Sequence, residues 1–172
     1  MVGLKSLLAE FGPKLFGDFD STGLKVDPIS VKLKPGTYLP KQTVRYLSPP
    51  ICAKLKLEID RLVTQGFLIP CNDAIGCSPL VIVPKPDGNT RMAVDYRELN
   101  KIIEDFAGNV PGMKPLFPYL ANKKYYAKMD NLWGYHQLKV VDEDQALLTI
   151  ITPFGLYKWT RLPFGLWTAT AV

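Results

Sequence analysis

Residues 78–101 read SPLVIVPKPDGNTRMAVDYRELNK, and the fold turns on them. Residues 79–84 form a short apolar run, and residues 90–96 alternate, with Met92, Val94 and Tyr96 on one side and Arg91 and Asp95 on the other. Both patterns are those of short strands. The Lys85-Pro-Asp-Gly88 segment between them ends in Asp-Gly, a dipeptide suited to the positive φ angles of a tight hairpin. The spacing therefore predicts a β-hairpin, followed by a short helical turn over Tyr96–Lys101.

Upstream of the hairpin the period changes from two to 3.6. Ile51, Leu55, Ile59, Leu62 and Val63 line one face of a helix. Ser48 stands at its start, Pro49 and Pro50 fit its first turn, and Gly66 ends it. On the opposite face Lys54–Glu58 and Lys56–Asp60 are spaced to pair, each worth a few tenths of a kcal/mol. Before this helix, Leu4, Leu7, Leu8, Phe11 and Leu15 predict a short helix interrupted at Gly12-Pro13. An extended arm then runs to residue 47, with a turn at Lys34–Thr37.

Downstream, residues 102–124 carry the breakers Gly108, Pro111, Gly112 and Pro115 and give no clear element. Tyr125–Asp130, Gln137–Val141, Leu147–Thr152 and Leu156–Arg161 read as strands, the last entered through a turn at Pro153-Phe154-Gly155. The final residues, from Gly165 to Val172, look like the opening of a helix. The 15 prolines in 172 residues fit many short elements joined by defined turns.

Composition narrows the function classes. The hydrophobic content of 47% suits a globular chain. No run of 18 apolar residues exists, so no spanning helix and no membrane partner are expected. The start, MVGLKSLLAEFGPKLFG, lacks the pattern of a secretory signal, and an intracellular location, cytoplasmic or mitochondrial, is expected. The formal net charge of +5 is compatible with nucleic-acid contact. Cys52, Cys71 and Cys77 read as reduced thiols. With a single histidine and no second cysteine pair, they do not make a four-ligand zinc site.

Five segments, taken in order, resemble the reverse transcriptase of gypsy-type long-terminal-repeat retrotransposons. They are LLAEFGPKLF (7–16), KLEIDRLVTQGFLIP (56–70), the hairpin segment 78–101, YYAKMDNLWGYHQLKV (125–140) and FGLYKWTRLPFGL (154–166). The resemblance implies an α+β fold: reverse-transcriptase-like fingers and an incomplete palm, with an extended N-terminal arm. The implied divisions are an arm at 1–47, a fingers-like region at 48–124 and a partial palm at 125–172.

It also implies roles. Asp130 matches the first of the carboxylates that bind the two magnesium ions, and is the only metal-ligand candidate. Tyr135 matches the aromatic gate beside the sugar. Lys85 and Arg91 match the hairpin cations that grip the incoming triphosphate, and Phe164, within Pro163-Phe164-Gly165, matches the segment under template and nucleotide. Each has a plainer reading. Arg91 is spaced to pair with Asp95, Tyr135 and Trp133 suit a core, His136 suits a structural role, and Asp130 suits a turn or cap.

The departures shape the functional expectation. Two-metal phosphoryl transfer needs at least two converging carboxylates. The family supplies its other ones from a Tyr-x-Asp-Asp hairpin, and no Asp-Asp pair occurs in this sequence. Trp133 stands where the family has a small residue, Trp167-Thr-Ala-Thr-Ala where it has Thr-Asn-Ala-Pro-Ala, and Leu147 where a Lys is common. The expectation is a chain truncated before that hairpin, incomplete as a catalyst, with no cofactor unless the missing part restores Mg²⁺. The leading reading is a domesticated RNA-binding structural subunit of a ribonucleoprotein, with a ribosome as one candidate. Its RNA contacts would be Lys85, Arg91, Arg97, Lys101, Lys123, Lys124 and Lys128, and protein partners would cover an open palm edge. Two alternatives stand beside it: the N-terminal fragment of an active retroelement RNA-directed DNA polymerase, and a protein-interaction module using that open edge.

Overall fold

The computed structural model describes residues 2–15, 22–84, 90–104, 112–128 and 130–167. Two helices precede the sheet, α1 (Val2–Leu15) and α2 (Pro49–Thr64). The strands are β1 (Leu68–Cys71), β2 (Ser78–Pro84), β3 (Thr90–Val94), β4 (Thr149–Thr152) and β5 (Gly155–Trp159). Two short helices, α3 (Arg97–Ile102) and α4 (Phe117–Leu120), lie between β3 and β4. The five strands form one mixed sheet in the order β1-β5-β4-β2-β3. It draws β1–β3 from residues 68–94 and β4–β5 from residues 149–159.

The two strands pair as the expected hairpin. Leu80 faces Val94, Ile82 faces Met92 and Pro84 faces Thr90, an antiparallel ladder centred on residue 87. The turn residues 85–89, Lys85 included, lie outside the described residues. Helix α2 opens with prolines at its first two positions, where no N–H partner is needed, and Ser48 sits at its N-cap without a side-chain bond. Leu55, Ile59 and Leu62 are its buried positions and join Phe67, Leu68, Leu80, Tyr96, Leu148, Ile150 and Trp159 in one core. Gly66 adopts φ +73°, which lets the chain turn from α2 into β1. Lys56 pairs with Asp60 as expected, but Glu58 is taken by Arg61 rather than Lys54.

The arm is laced to the body rather than loose. Ile29 bridges Val140, Leu33 bridges Ile103 and Lys41 bridges Cys77. The Asp144 carboxylate accepts from the Ser30 hydroxyl and the Val31 N–H, both at 2.8 Å. Val31 and Leu39 plug the arm into the core at 3% exposure each.

Four expectations need correction. Helix α1 runs through Gly12-Pro13 without a break, and its Leu7, Leu8 and Phe11 are exposed. Tyr125–Lys128 and Asp130 form no strand but exposed coil, and no strand among the described residues pairs with them. Gln137–Val141 is not a strand either. Gly134–Gln137 is a turn of 3-10 helix, and only Lys139 and Val140 make isolated bridges, to Arg161 and Ile29. Strand β4 starts at Thr149 because residues 142–148 wind into a 3-10 helix. One strand went unpredicted: β1 pairs antiparallel with β5, Leu68 opposite Trp159.

Candidate nucleotide and nucleic-acid site

Three of the residues expected at a site meet in the structure. Arg91 on β3 is exposed, and its guanidinium carbon lies 6.0 Å from the centre of the Phe164 ring. Phe164 in turn meets the Tyr135 ring edge-on, with centroids 5.2 Å apart. Phe164 is 45% exposed, so this shelf of two rings and one cation borders solvent. Arg91 does not take Asp95, which other arginines occupy.

Beneath the shelf lies an aromatic layer. His136 is buried, stacks on Trp159 at 5.0 Å and 15°, and meets the edge of Phe164 at 5.0 Å. Its Nδ1 lies 3.1 Å from the Leu162 carbonyl oxygen, so Nδ1–H donates to that oxygen. Burial lowers the His136 pKa below its usual value, the Leu162 bond opposes this, and Arg61 and Arg161 add to the lowering. A neutral imidazole with its proton on Nδ1 therefore ties the turn that carries Tyr135 to the loop that carries Phe164. Trp133 holds φ +59°, an uncommon value for a bulky residue. Its ring receives the Arg61 guanidinium at 4.4 Å and the edge of Phe67 at 6.0 Å.

These residues edge a groove of about 880 Å³ between α2 and the hairpin. Arg61, Arg91, Trp133, His136 and Phe164 line it, together with apolar side chains such as Met92. Cations set against aromatic faces suit a ligand that carries both phosphate and base.

The other expected site residues are placed elsewhere. Arg97 opens α3 and grips Asp95 with Nε at 2.7 Å and Nη2 at 2.6 Å. Arg45 of the arm donates to the same carboxylate. The Arg97 side-chain bonds come first in holding the Asp95 carboxyl far below the usual carboxylate range. Lys101 is paired with Glu98 at 2.7 Å. Lys123, Lys124 and Lys128 lie on the exposed coil after α4. Arg45, Arg61 and Trp159 were missed by the sequence reading, and no local pattern singles them out.

Asp130 is exposed, on coil. Among the described residues no group of three or more His, Cys, Asp or Glu side chains is placed to hold a metal ion. Mg²⁺ is bound through one or two carboxylates plus phosphate oxygens and waters, so Asp130 would supply one ligand of such a site.

A family model described as reverse transcriptase (RNA-dependent DNA polymerase) matches residues 83–172, just over half of the chain. The chain belongs to the reverse transcriptase family. This reverse transcriptase domain is 31% identical over 176 residues to the retrovirus-related Pol polyprotein from transposon opus of Drosophila melanogaster, covering 98% of this chain and 17% of that protein. It is 34% identical over 138 residues to the Pro-Pol polyprotein of simian foamy virus type 3, covering 80% of this chain and 12% of the relative. It is 31% identical over 114 residues to the transposon Tf2-3 polyprotein of Schizosaccharomyces pombe, covering 66% of this chain and 8% of the relative.

Among solved structures, prototype foamy virus protease-reverse transcriptase superposes with a TM-score of 0.82 at 29% identity, covering 98% of this chain and 23% of that one. A foamy viral protease-reverse transcriptase in complex with an RNA/DNA hybrid also gives 0.82, at 25% identity and the same coverage. The domain thus spans less than a quarter of each of these relatives. The mixed sheet and helices agree with fingers and part of a palm. No helix among the described residues is long and apolar enough to cross a membrane.

Proposed function

We propose that this chain is the fingers and partial palm of an RNA-directed DNA polymerase from a gypsy-type retroelement, and that it binds an incoming nucleotide and a template strand. The observation that carries this reading is the meeting of Arg91, Phe164 and Tyr135 on one shelf. A triphosphate is bound by cations through charge-assisted hydrogen bonds, and Arg91 supplies one from the hairpin. The Tyr135–Phe164 pair presents ring surface beside it for sugar and base. His136 and Trp159 hold that surface from below.

Asp130 would contribute one carboxylate to chemistry that needs others beside it. Exposed apolar side chains after residue 112, such as Phe117 and Tyr119, offer surface that another part of a polymerase would cover. The matches to retroelement polyproteins support this reading over a domesticated ribonucleoprotein subunit.

The test is binding of a deoxynucleoside triphosphate to the chain, followed by isothermal calorimetry. Hydrogen bonds to charged groups are worth about 1.5–3 kcal/mol, so Arg91→Gln is expected to weaken binding by about ten- to a hundredfold. Equal affinity of wild type and Arg91→Gln would refute the shelf as a nucleotide site. RNA binding with no triphosphate binding at all would restore the structural-subunit reading.

A further inference from the structure

The turn that carries Tyr135 starts from a strained residue. Trp133 precedes the 3-10 turn Gly134–Gln137 with φ +59° and ψ +22°, a left-handed conformation that bulky side chains rarely adopt. Such a conformation persists where its surroundings over-determine it. The Trp133 carbonyl accepts from the His136 N–H at 2.7 Å, which closes the turn. The indole is held as well. The Arg61 guanidinium lies 4.4 Å from its centre, the Phe67 ring 6.0 Å and the His136 ring 5.6 Å.

Arg61 is itself fixed on α2. Its Nε and Nη2 donate to the two oxygens of Glu58 at 2.9 and 2.6 Å, and its Nη1 donates to the Gln65 side-chain oxygen at 2.9 Å. Glu58 stands three residues before Arg61 and Gln65 four after, so one face of the helix supplies both. The Arg61–Glu58 pair is partly exposed and contributes little to stability on its own. What it does is hold the guanidinium in one plane, with a flat face left for the indole.

From Trp133 the contacts run on to the nucleotide shelf. His136 stacks on Trp159 and meets the edge of Phe164. Tyr135, one residue earlier on the same turn, meets the same Phe164 ring. A turn that rotates about Trp133 therefore carries Tyr135 with it, relative to Phe164 and Arg91.

We propose that Arg61 and Trp133 are positioning residues of the shelf: their guanidinium–indole contact sets the turn, and through it the place of the Tyr135 ring against the sugar of a bound nucleotide. The inference rests on the nucleotide reading above and adds α2 to the site. Arg61 acts through Trp133, since three of its five donors are committed to Glu58 and Gln65.

Calorimetric titration of the full chain with deoxyadenosine triphosphate and with adenosine triphosphate tests it, because the two differ only at the sugar 2′ position. The wild-type chain is expected to prefer the deoxynucleotide. Trp133→Gly removes the ring and leaves a residue at ease with positive φ. It is expected to reduce that preference by about two- to thirtyfold, the range for residues that act through packed neighbours. Arg61→Gln is expected to reduce it by a smaller factor, and to add nothing in the Trp133→Gly background, because both act through one contact. Arg61→Lys keeps the charge without the planar fork and is expected to behave as Arg61→Gln. Thermal unfolding checks each variant, and Trp133→Phe takes the place of Trp133→Gly where the latter does not fold.

An unchanged preference in the Trp133 variant would overturn the inference. Equal weakening of both nucleotides by Arg61→Gln would make Arg61 a direct phosphate contact and overturn its positioning role. Independent effects of the two substitutions would overturn the link between them. A wild-type chain that binds both nucleotides equally, and loses both in Arg91→Gln, would overturn the inference and leave the Arg91 contact standing. A wild-type chain that binds neither would overturn the shelf reading and this inference with it.

Discussion

Replacing Gly76 by alanine tests how the arm is seated. A Cβ at Gly76 would fall on the carbonyl oxygen of Leu39 and within 2.7 Å of that residue's carbonyl carbon and Cβ. The obstacle is mostly backbone, so no side-chain rotation relieves it and the arm has to lift. Lifting exposes Leu39, now 3% exposed, at a cost of about 1.5–3 kcal/mol. It also breaks two arm-to-body bonds, Gln42 N–H to Cys77 O and Cys77 N–H to Pro40 O, both 3.3 Å. Each contributes about 0.5–1.5 kcal/mol. The sum is about 2.5–6 kcal/mol, a large part of the ~5–15 kcal/mol that holds a domain folded. Urea unfolding is the assay. With a slope of about 1–3 kcal/mol/M, the midpoint is expected to fall by about 0.8 M or more. Gly3→Ala is the control, since a Cβ there meets nothing within 4 Å. A midpoint for Gly76→Ala within about 0.3 M of wild type, ~0.6 kcal/mol at a mid-range slope, would refute the seating of Leu39.

Further tests concern the ionisable groups and the aromatic layer. His136→Phe keeps a ring but takes the donor from the Leu162 carbonyl, and is expected to cost about 1–3 kcal/mol in chemical denaturation. A His136→Phe midpoint equivalent to within about 0.3 kcal/mol of wild type would refute the assigned hydrogen bond. Because the folded His136 pKa lies below its unfolded value near 6.5, the unfolded state binds the proton more readily. Stability is therefore expected to decline as pH falls through about 6.5, and His136→Asn should flatten that decline. Asp95 behaves with the carboxylate sign: its folded pKa is depressed, so its contribution is present above about 3.9 and is lost as pH falls further. Asp95→Asn should remove that acid-side loss, seen as a smaller drop in melting temperature below pH 4.

The parts of the fold that were legible are those encoded by local pattern. Alternation through Met92, Val94 and Tyr96 and the Asp87-Gly88 dipeptide lead to the β2–β3 pairing, and the apolar stripe and paired prolines lead to α2. Strand β1 was not legible because Leu-Ile-Pro-Cys does not alternate. It becomes a strand only by pairing with β5, far along the chain. The segment from Tyr125 failed the opposite way. Alternation marks a chain suited to a half-buried ladder, but a ladder needs a neighbour, and period alone says nothing about one. At the site, Arg91, Tyr135 and Phe164 were identified by resemblance, and geometry brings them together. Asp95 was expected to pair with Arg91, on the same face of the strand. Its actual partners are Arg97, two residues on, and Arg45, 50 residues away, which no spacing rule reaches.

The arm links these observations into one argument. Its bridges touch four places around the sheet. Ile29 holds Val140 after the Tyr135 turn, Leu33 holds Ile103 after α3, Lys41 holds Cys77 before β2, and Arg45 holds Asp95 after β3. Bridges of one or two bonds each are individually marginal, but they lie along one continuous segment, so displacing one loosens its neighbours. The Gly76 substitution strikes this segment six residues before Arg45. If the arm seats the sheet without setting the shelf, Gly76→Ala should lower the unfolding midpoint and yet leave triphosphate binding at Arg91 unchanged under conditions where the domain remains folded. If instead that affinity falls too, the arm acts on the whole domain, and the shelf is not independent of it.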